Sequence, residues 1–186
     1  MTDTYKIAIV GGTGDLGSGL AKRWARAGHQ IIIGSRDAGR AADTAVKFND
    51  DAGTTSISGL ENTDAAEAGD IVVLTVPYEN HASTLDAIRN KVQGKIVIDV
   101  TVPLIPPKVR TVQLPESGSC AKAAQSQLGE NVRVVSAFQN VAAAHLADLE
   151  HDIDCDVLVC GNDPEAREVV VKLSKDASMK AWHAGV

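Results

Sequence analysis

The chain has few of the residues that build metal centres, disulfide frameworks or aromatic stacking surfaces. Only three cysteines occur in 186 residues, Cys120, Cys155 and Cys160, and none stands in C-x-x-C spacing. Reduced thiols are expected rather than a disulfide or zinc site. Five histidines are scattered with no pair at metal-ligand spacing, so no metal is expected. Aromatic residues make up 3% of the chain, which leaves stacking platforms scarce. The net charge of −6 comes with no basic run, and this excludes nucleic acid as a general partner. Any attraction for a polyanion must be local. No apolar stretch reaches membrane-spanning length, so no membrane partner is expected. Met1-Thr2-Asp3-Thr4 lacks the basic and apolar regions of a signal peptide. A cytoplasmic protein is the expectation.

What is present begins at Lys6. The apolar run Ile7-Ala8-Ile9-Val10 leads into Gly12-Thr13-Gly14-Asp15-Leu16-Gly17, which matches G-x-G-x-x-G. The first glycine permits a tight turn, the second lets a pyrophosphate approach the backbone, and the third lets the helix pack close to its strand. Leu16, Leu20, Trp24 and Ala27 would share one face of that helix, which stops at Gly28. The helix N-terminus offers free N–H groups and a positive dipole end to the pyrophosphate. Gln30-Ile31-Ile32-Ile33-Gly34 reads as a second strand. A site for NAD usually ends that strand with an acid that binds the ribose 2′-OH, whereas a nearby arginine accommodates the 2′-phosphate of NADP. Here Ser35-Arg36 follows, with Arg40 four residues on, and Asp37 falls where a helix begins. Guanidinium groups match phosphate geometry, so NADP(H) is the expected cofactor.

With 44% hydrophobic residues, the chain can bury one good core. Strands and helices alternate throughout, which predicts an α/β fold with a doubly wound, mostly parallel sheet of Rossmann type. A single NADP-binding domain over 1–186 is expected, with a core at 1–138 and a short α/β extension at 139–186. Further elements read as a helix near Arg40 to Asn49, a short strand at Thr55 to Ser58 and a helix at Asn62 to Ala68. Asp70 to Val76 is a strand buried on both faces and ended by Pro77. A helix from His81 to Asn90 precedes the strand Lys95 to Val100. Thr101 to Pro107 is extended loop. Ser117 to Leu128 is a helix, Arg133 to Phe138 a sixth strand, Val141 to Leu149 a short helix and Asp156 to Cys160 a seventh strand. Asp163-Pro164-Glu165 offers an N-cap, a proline at the first helical position and an early acid.

In such a sheet the ligand lies outside the carboxyl ends of the strands. That rule nominates Gly12 to Leu16, then Thr75-Val76-Pro77-Tyr78 with His81, then Val100-Thr101-Val102, and finally Ala137-Phe138-Gln139-Asn140-Val141. Thr75 to Tyr78 would pass along the ribose and nicotinamide. His81 could contact a phosphate or a substrate, or be a surface histidine at a helix start. Gln139 and Asn140 are uncharged amides able to orient a flat heterocycle, or simple helix caps. No Tyr-x-x-x-Lys occurs, so the acid of short-chain alcohol dehydrogenases is absent, and no buried Asp–His pair is expected. About 50 residues follow the sixth strand, too few for the helical substrate domain of a hydroxyacid or 6-phosphogluconate type dehydrogenase. A hydride donor and acceptor that are both cofactors would need no catalytic side chain, only two rings held face to face.

Gly11-Gly12-Thr13-Gly14-Asp15-Leu16-Gly17-Ser18-Gly19-Leu20-Ala21 resembles the opening of the F420-dependent NADP oxidoreductases. So do Gly34-Ser35-Arg36, Asp64-Ala65-Ala66-Glu67-Ala68, Val73-Leu74-Thr75-Val76-Pro77 and Val134-Val135-Ser136-Ala137-Phe138. The resemblance implies hydride transfer between NADP(H) and the deazaflavin coenzyme F420, without metal or covalent intermediate. It would set Thr13, Asp15 and Leu16 at the pyrophosphate and Ser35, Arg36 and Arg40 at the 2′-phosphate. Val76 and Ala137 would lie by the nicotinamide. Some relatives carry histidine-threonine where this chain has Gln139-Asn140. The family continues past a strand like Ala181 to Val186 into helices that close the deazaflavin site and form a homodimer, and a chain without them is expected to be shortened or to lack those parts. Ferric-reductase domains resemble the same N-terminal pattern. The alternatives are therefore an NADPH-dependent flavin or ferric-type reductase, or a non-catalytic NADP-binding redox sensor.

Overall fold

A computed structural model describes residues 4–186. The strands are β1 (Lys6–Val10), β2 (Gln30–Ser35), β3 (Ile57–Glu61), β4 (Ile71–Leu74), β5 (Ile96–Asp99), β6 (Arg133–Ser136), β7 (Asp156–Cys160) and β8 (Lys180–Gly185). The α-helices between them are α1 (Asp15–Arg26), α2 (Ala38–Ala52), α3 (Asn62–Ala68), α4 (His81–Ile88), α5 (Cys120–Leu128), α6 (Ala143–Ala147) and α7 (Pro164–Asp176). Short 3-10 turns at Tyr78–Asn80 and Arg89–Lys91 flank α4. All eight strands form one sheet in the order β3-β2-β1-β4-β5-β6-β7-β8. It is parallel from β3 to β6, β7 is antiparallel to β6 through the pair Ser136 and Cys160, and β8 runs parallel to β7. This is the doubly wound, mostly parallel arrangement of a Rossmann-type fold.

The two-residue period of the strands divides the core in two. Ile7, Ile9, Ile31, Ile33, Val73 and Ile98 pack against Leu20 and Trp24 of α1, Phe48 of α2 and Val170 of α7. Ala8, Val10, Val72, Leu74 and Val97 face the other way, against Ala65 of α3, Leu85 and Ile88 of α4, and Leu128 of α5. Fully burying each Ile, Leu or Val contributes about 1.5–3 kcal/mol. Trp24 is fully buried and satisfies its indole by donating to the Leu173 carbonyl at 2.7 Å. Next to it the buried Arg23 donates to the carbonyls of Leu146 (3.2 Å), Ala177 (3.4 Å), His145 (3.2 Å), Asp148 (2.5 Å) and His151 (2.9 Å).

Several boundaries differ from those read in the sequence. The third strand starts at Ile57 rather than Thr55, because local hydroxyl bonds compete for the chain there. Thr54 Oγ1 accepts from the Ser56 amide at 3.2 Å, and Asn49 brackets Ile57 through both its N–H and its carbonyl. The sixth strand ends at Ser136, two residues early, since Phe138 takes φ of 72° and turns out of the ladder. The helix expected from Ser117 begins at Cys120, with Ser119 as its cap accepting from the Lys122 amide. Ala27 is exposed, and Ala21 and Ala25 hold the buried face instead. At α7 the cap is as expected, with Asp163 Oδ1 accepting from the Ala166 amide at 2.7 Å.

Candidate functional site

A cleft of about 930 Å³ opens at the carboxyl ends of the parallel strands. That size is in the range of small-molecule sites. Its floor is the turn from β1 into α1. Gly12 donates to the Ile9 and Gly34 carbonyls, both at 3.0 Å, and Gly11 takes φ of 75°. The three motif glycines divide their work. A Cβ on Gly12 would lie 2.7 Å from the Ile9 carbonyl oxygen, and one on Gly17 would lie 2.8 Å from Gly12 Cα. On Gly14 it would meet nothing nearer than the Gly11 carbonyl at 3.7 Å. Gly12 and Gly17 are thus closed by the protein, and Gly14 is open to the cleft.

One wall of the cleft comes from the end of β2. Ser35, Arg36, Asp37 and Arg40 line it. Ser35 is buried and its Oγ accepts from the Asp37 amide at 3.3 Å, while Asp37 Oδ1 caps α2 by accepting from the Arg40 amide at 2.8 Å. Arg36 and Arg40 are exposed, and neither is ion-paired among the described residues. Glu61, Asn62 and Thr63 complete the wall. Burial pushes the Glu61 carboxyl up, but hydrogen bonds from the Thr63 hydroxyl and from the Thr63, Asn62 and Asp64 amides outweigh it and lower its pKa.

The opposite wall follows the ends of β4 and β5. Thr75, Val76, Pro77 and Tyr78 line it, as do Val100, Thr101 and Val102. Thr75 Oγ1 donates to the Val10 carbonyl at 2.9 Å, and the buried Thr101 Oγ1 has no partner among the described residues. Three strand spacings separate Ser35 on β2 from Val100 beyond β5, about 14 Å. The chain's own side chains thus leave an open backbone and two unpaired guanidiniums along one elongated cleft. Those features fit a dinucleotide.

The cleft thus gathers Thr13, Gly14, Leu16, Ser35, Arg36, Arg40, Thr75, Val76, Pro77, Tyr78 and Val100. Gly12 lies beneath it and Asp15 is exposed at the start of α1, outside the lining. Ala137 is fully buried. Gln139 turns its amide inward, donating to the Asp99 carbonyl at 2.7 Å and to Ser136 Oγ at 2.9 Å. His81 is not a surface residue. It is buried, stacks on Tyr78, and its Nε2 lies 2.9 Å from Asp99 Oδ2. This is the buried Asp–His pair that the sequence reading did not expect. Asp99 Oδ1 also accepts from the Thr101 amide at 2.9 Å. Asn62 and Glu61 went unread as well, and the only signal for Asn62 was its place at the start of a helix. Among the described residues no cluster of His, Cys, Asp or Glu could hold a metal ion, and no helix is long and apolar enough to cross a membrane.

Comparison with known proteins agrees with this geometry. Residues 6–103 match the family described as NADP oxidoreductase, coenzyme F420-dependent. The chain is 47% identical over 176 residues to the F420-dependent NADP reductase of Methanocaldococcus jannaschii, covering 91% of this chain and 78% of that protein. It is 43% identical to the F420-dependent NADP reductase of Methanothermobacter thermautotrophicus, covering 91% and 76%. Among solved structures, a hypothetical protein SMa0349 from Sinorhizobium meliloti superposes with a TM-score of 0.79 at 26% identity, over 100% of this chain and 86% of that one. The chain belongs to the family of coenzyme F420-dependent NADP oxidoreductases.

Proposed function

We propose that the protein transfers a hydride between NADP(H) and coenzyme F420. The observation that carries this reading is the union, in one cleft, of the open Gly14 backbone with the unpaired Arg36 and Arg40. Arg36, Arg40 and the Ser35 hydroxyl bind the 2′-phosphate through charge-assisted hydrogen bonds. The Thr13 to Leu16 turn and the first turn of α1 receive the pyrophosphate. Val76, Pro77 and Val100 border the nicotinamide with apolar surface that excludes water beside the reacting ring. With both cofactors bound, the hydride would pass between nicotinamide C4 and deazaflavin C5. The residues of this chain then act by orientation, since holding two reactants at attack distance replaces an encounter in solution. No side-chain nucleophile is required. A homodimer, implied by the family resemblance, and a cytoplasmic setting belong to the same proposal.

The test is to mix the protein with NADPH and purified F420 and follow the loss of deazaflavin absorbance. Reduction of F420 with matching oxidation of NADPH is expected. Tight NADPH binding without turnover would instead make the protein a sensor, and turnover with a flavin or ferric chelate alone would make it a different reductase.

A further inference from the structure

Asn62 stands at the start of α3, just past the carboxyl end of β3, where Glu61 pairs with Ser35 of β2. Its Oδ1 accepts from the Gly11 amide at 3.1 Å. That contact fixes the amide, because only its carbonyl oxygen can face a donor, so the NH2 group is turned away from Gly11. The space next to Oδ1 exists because residue 34 is glycine. A Cβ there would lie 2.8 Å from Asn62 Oδ1. The Gly34 carbonyl in turn accepts from the Gly12 amide at 3.0 Å. Asn62 therefore sits across the ends of three strands, locked to the glycine turn on one side and seated against β2 on the other.

The other half of its amide is unspent. Asn62 is half-buried on the cleft wall, and its Nδ2 has no hydrogen-bond partner among the described residues. A dinucleotide that places its 2′-phosphate at Ser35 and Arg36 and its pyrophosphate at Gly14 must carry its adenosine ribose between them, past Asn62. We infer that Asn62 is a specificity-determining residue: Nδ2 donates to the oxygen on C2′ of the adenosine ribose, while Oδ1 holds the pyrophosphate turn in shape. This rests on the NADP orientation of the proposed function. The 2′-OH of NADH can also accept from Nδ2, but the anionic phosphoester at C2′ adds charge assistance that the neutral hydroxyl does not supply. The neighbouring acid, Glu61, is withdrawn from accepting a free 2′-OH, with Oε2 engaged by the Thr63 amide at 2.9 Å and the Thr63 hydroxyl at 2.5 Å.

The deciding experiment titrates NADPH and NADH by calorimetry into the full chain and into Asn62→Asp. The aspartate keeps an acceptor for Gly11 but replaces the donor with a negative charge. NADPH should weaken about 10- to 100-fold, the worth of a hydrogen bond to a charged group. NADH should hold or tighten, since a carboxylate can accept from its 2′-OH. A melting curve checks that the variant folds. Asn62→Ala gives a second measure, in which both cofactors weaken through the loosened turn and the preference for NADPH over NADH still falls. An unchanged ratio of the two dissociation constants in the folded variants would overturn the inference. Failure of the wild-type chain to bind NADPH would overturn the proposed function itself, so the two failures are distinct.

Discussion

Asp99 Oδ2 and His81 Nε2 lie 2.9 Å apart, with both side chains almost wholly shielded from water. Asp99 is the last residue of β5 and His81 the first of α4, so the pair ties a strand end just before the Val100–Val102 wall of the cleft to the helix that backs Tyr78. Asp99 also receives the Thr101 amide through its other oxygen and the Gln139 amide at its backbone carbonyl. Removing one partner of such a buried pair leaves a polar group unmatched in low dielectric, at a cost of about 3 kcal/mol or more. His81→Ala should therefore lower stability by that order in urea denaturation. Asp99→Asn, which keeps an acceptor for Thr101, should cost less. Equal stability of His81→Ala and wild type would show that the pair contributes nothing net.

Arg36→Ala should weaken NADPH by about one to two decades and leave NADH nearly unchanged, because a hydrogen bond to a charged group is worth roughly 1.5–3 kcal/mol. Fluorescence or calorimetric titration of both cofactors distinguishes the outcomes. Parallel losses would place Arg36 at the pyrophosphate or in the fold.

Gly14→Val tests the open floor of the cleft. A side chain there meets almost no protein atoms, so the fold should persist by circular dichroism while the dinucleotide is displaced. Wild-type NADPH affinity in this variant would put the pyrophosphate elsewhere.

Cys120 should be the slow thiol. Burial pushes its pKa up to about 11, and the charge of Asp99 adds to the shift. The thiolate is the reactive form, so alkylation at pH 8 should modify the half-buried Cys155 and Cys160 before Cys120. A thiol whose folded pKa is raised contributes stability below its ordinary range, lost as the pH rises through about 11. Mass mapping of alkylated peptides reads the order directly, and early labelling of Cys120 would contradict it.

What could be read from the sequence and what could not follow from distance along the chain. The β1–α1–β2 unit was legible because its signals are local: an apolar run, fixed glycine spacing and a helix of period 3.6. The start of α7 was legible for the same reason, as a cap and proline stand side by side. Asp99 and His81 are 18 residues apart and meet only because β4 pairs with β5 and α4 starts where it does. Asn62 and Gly11 are 51 residues apart and meet because β3, β2 and β1 lie in that order. A spacing in the sequence cannot encode a neighbour fixed by sheet order. The start of β3 was misplaced for a different reason, since hydroxyl and amide side chains at Thr54, Ser56 and Asn49 took over the backbone that β propensity alone would have assigned to the strand.

The five carbonyls gathered by Arg23 bear on how far the nucleotide half stands by itself. Helix α1, which opens from the glycine turn, is gripped near its far end by residues from His145 to Ala177, while Gly19 lets α6 lie flush against it. A protein cut after Phe138 would keep every motif of the glycine turn yet strand a guanidinium and an indole N–H that had found all their acceptors in the missing part. Transplanting the first 138 residues as a portable nucleotide cassette should consequently fail, and grip on the cofactor should soften when residues far from it, in α6 or α7, are disturbed.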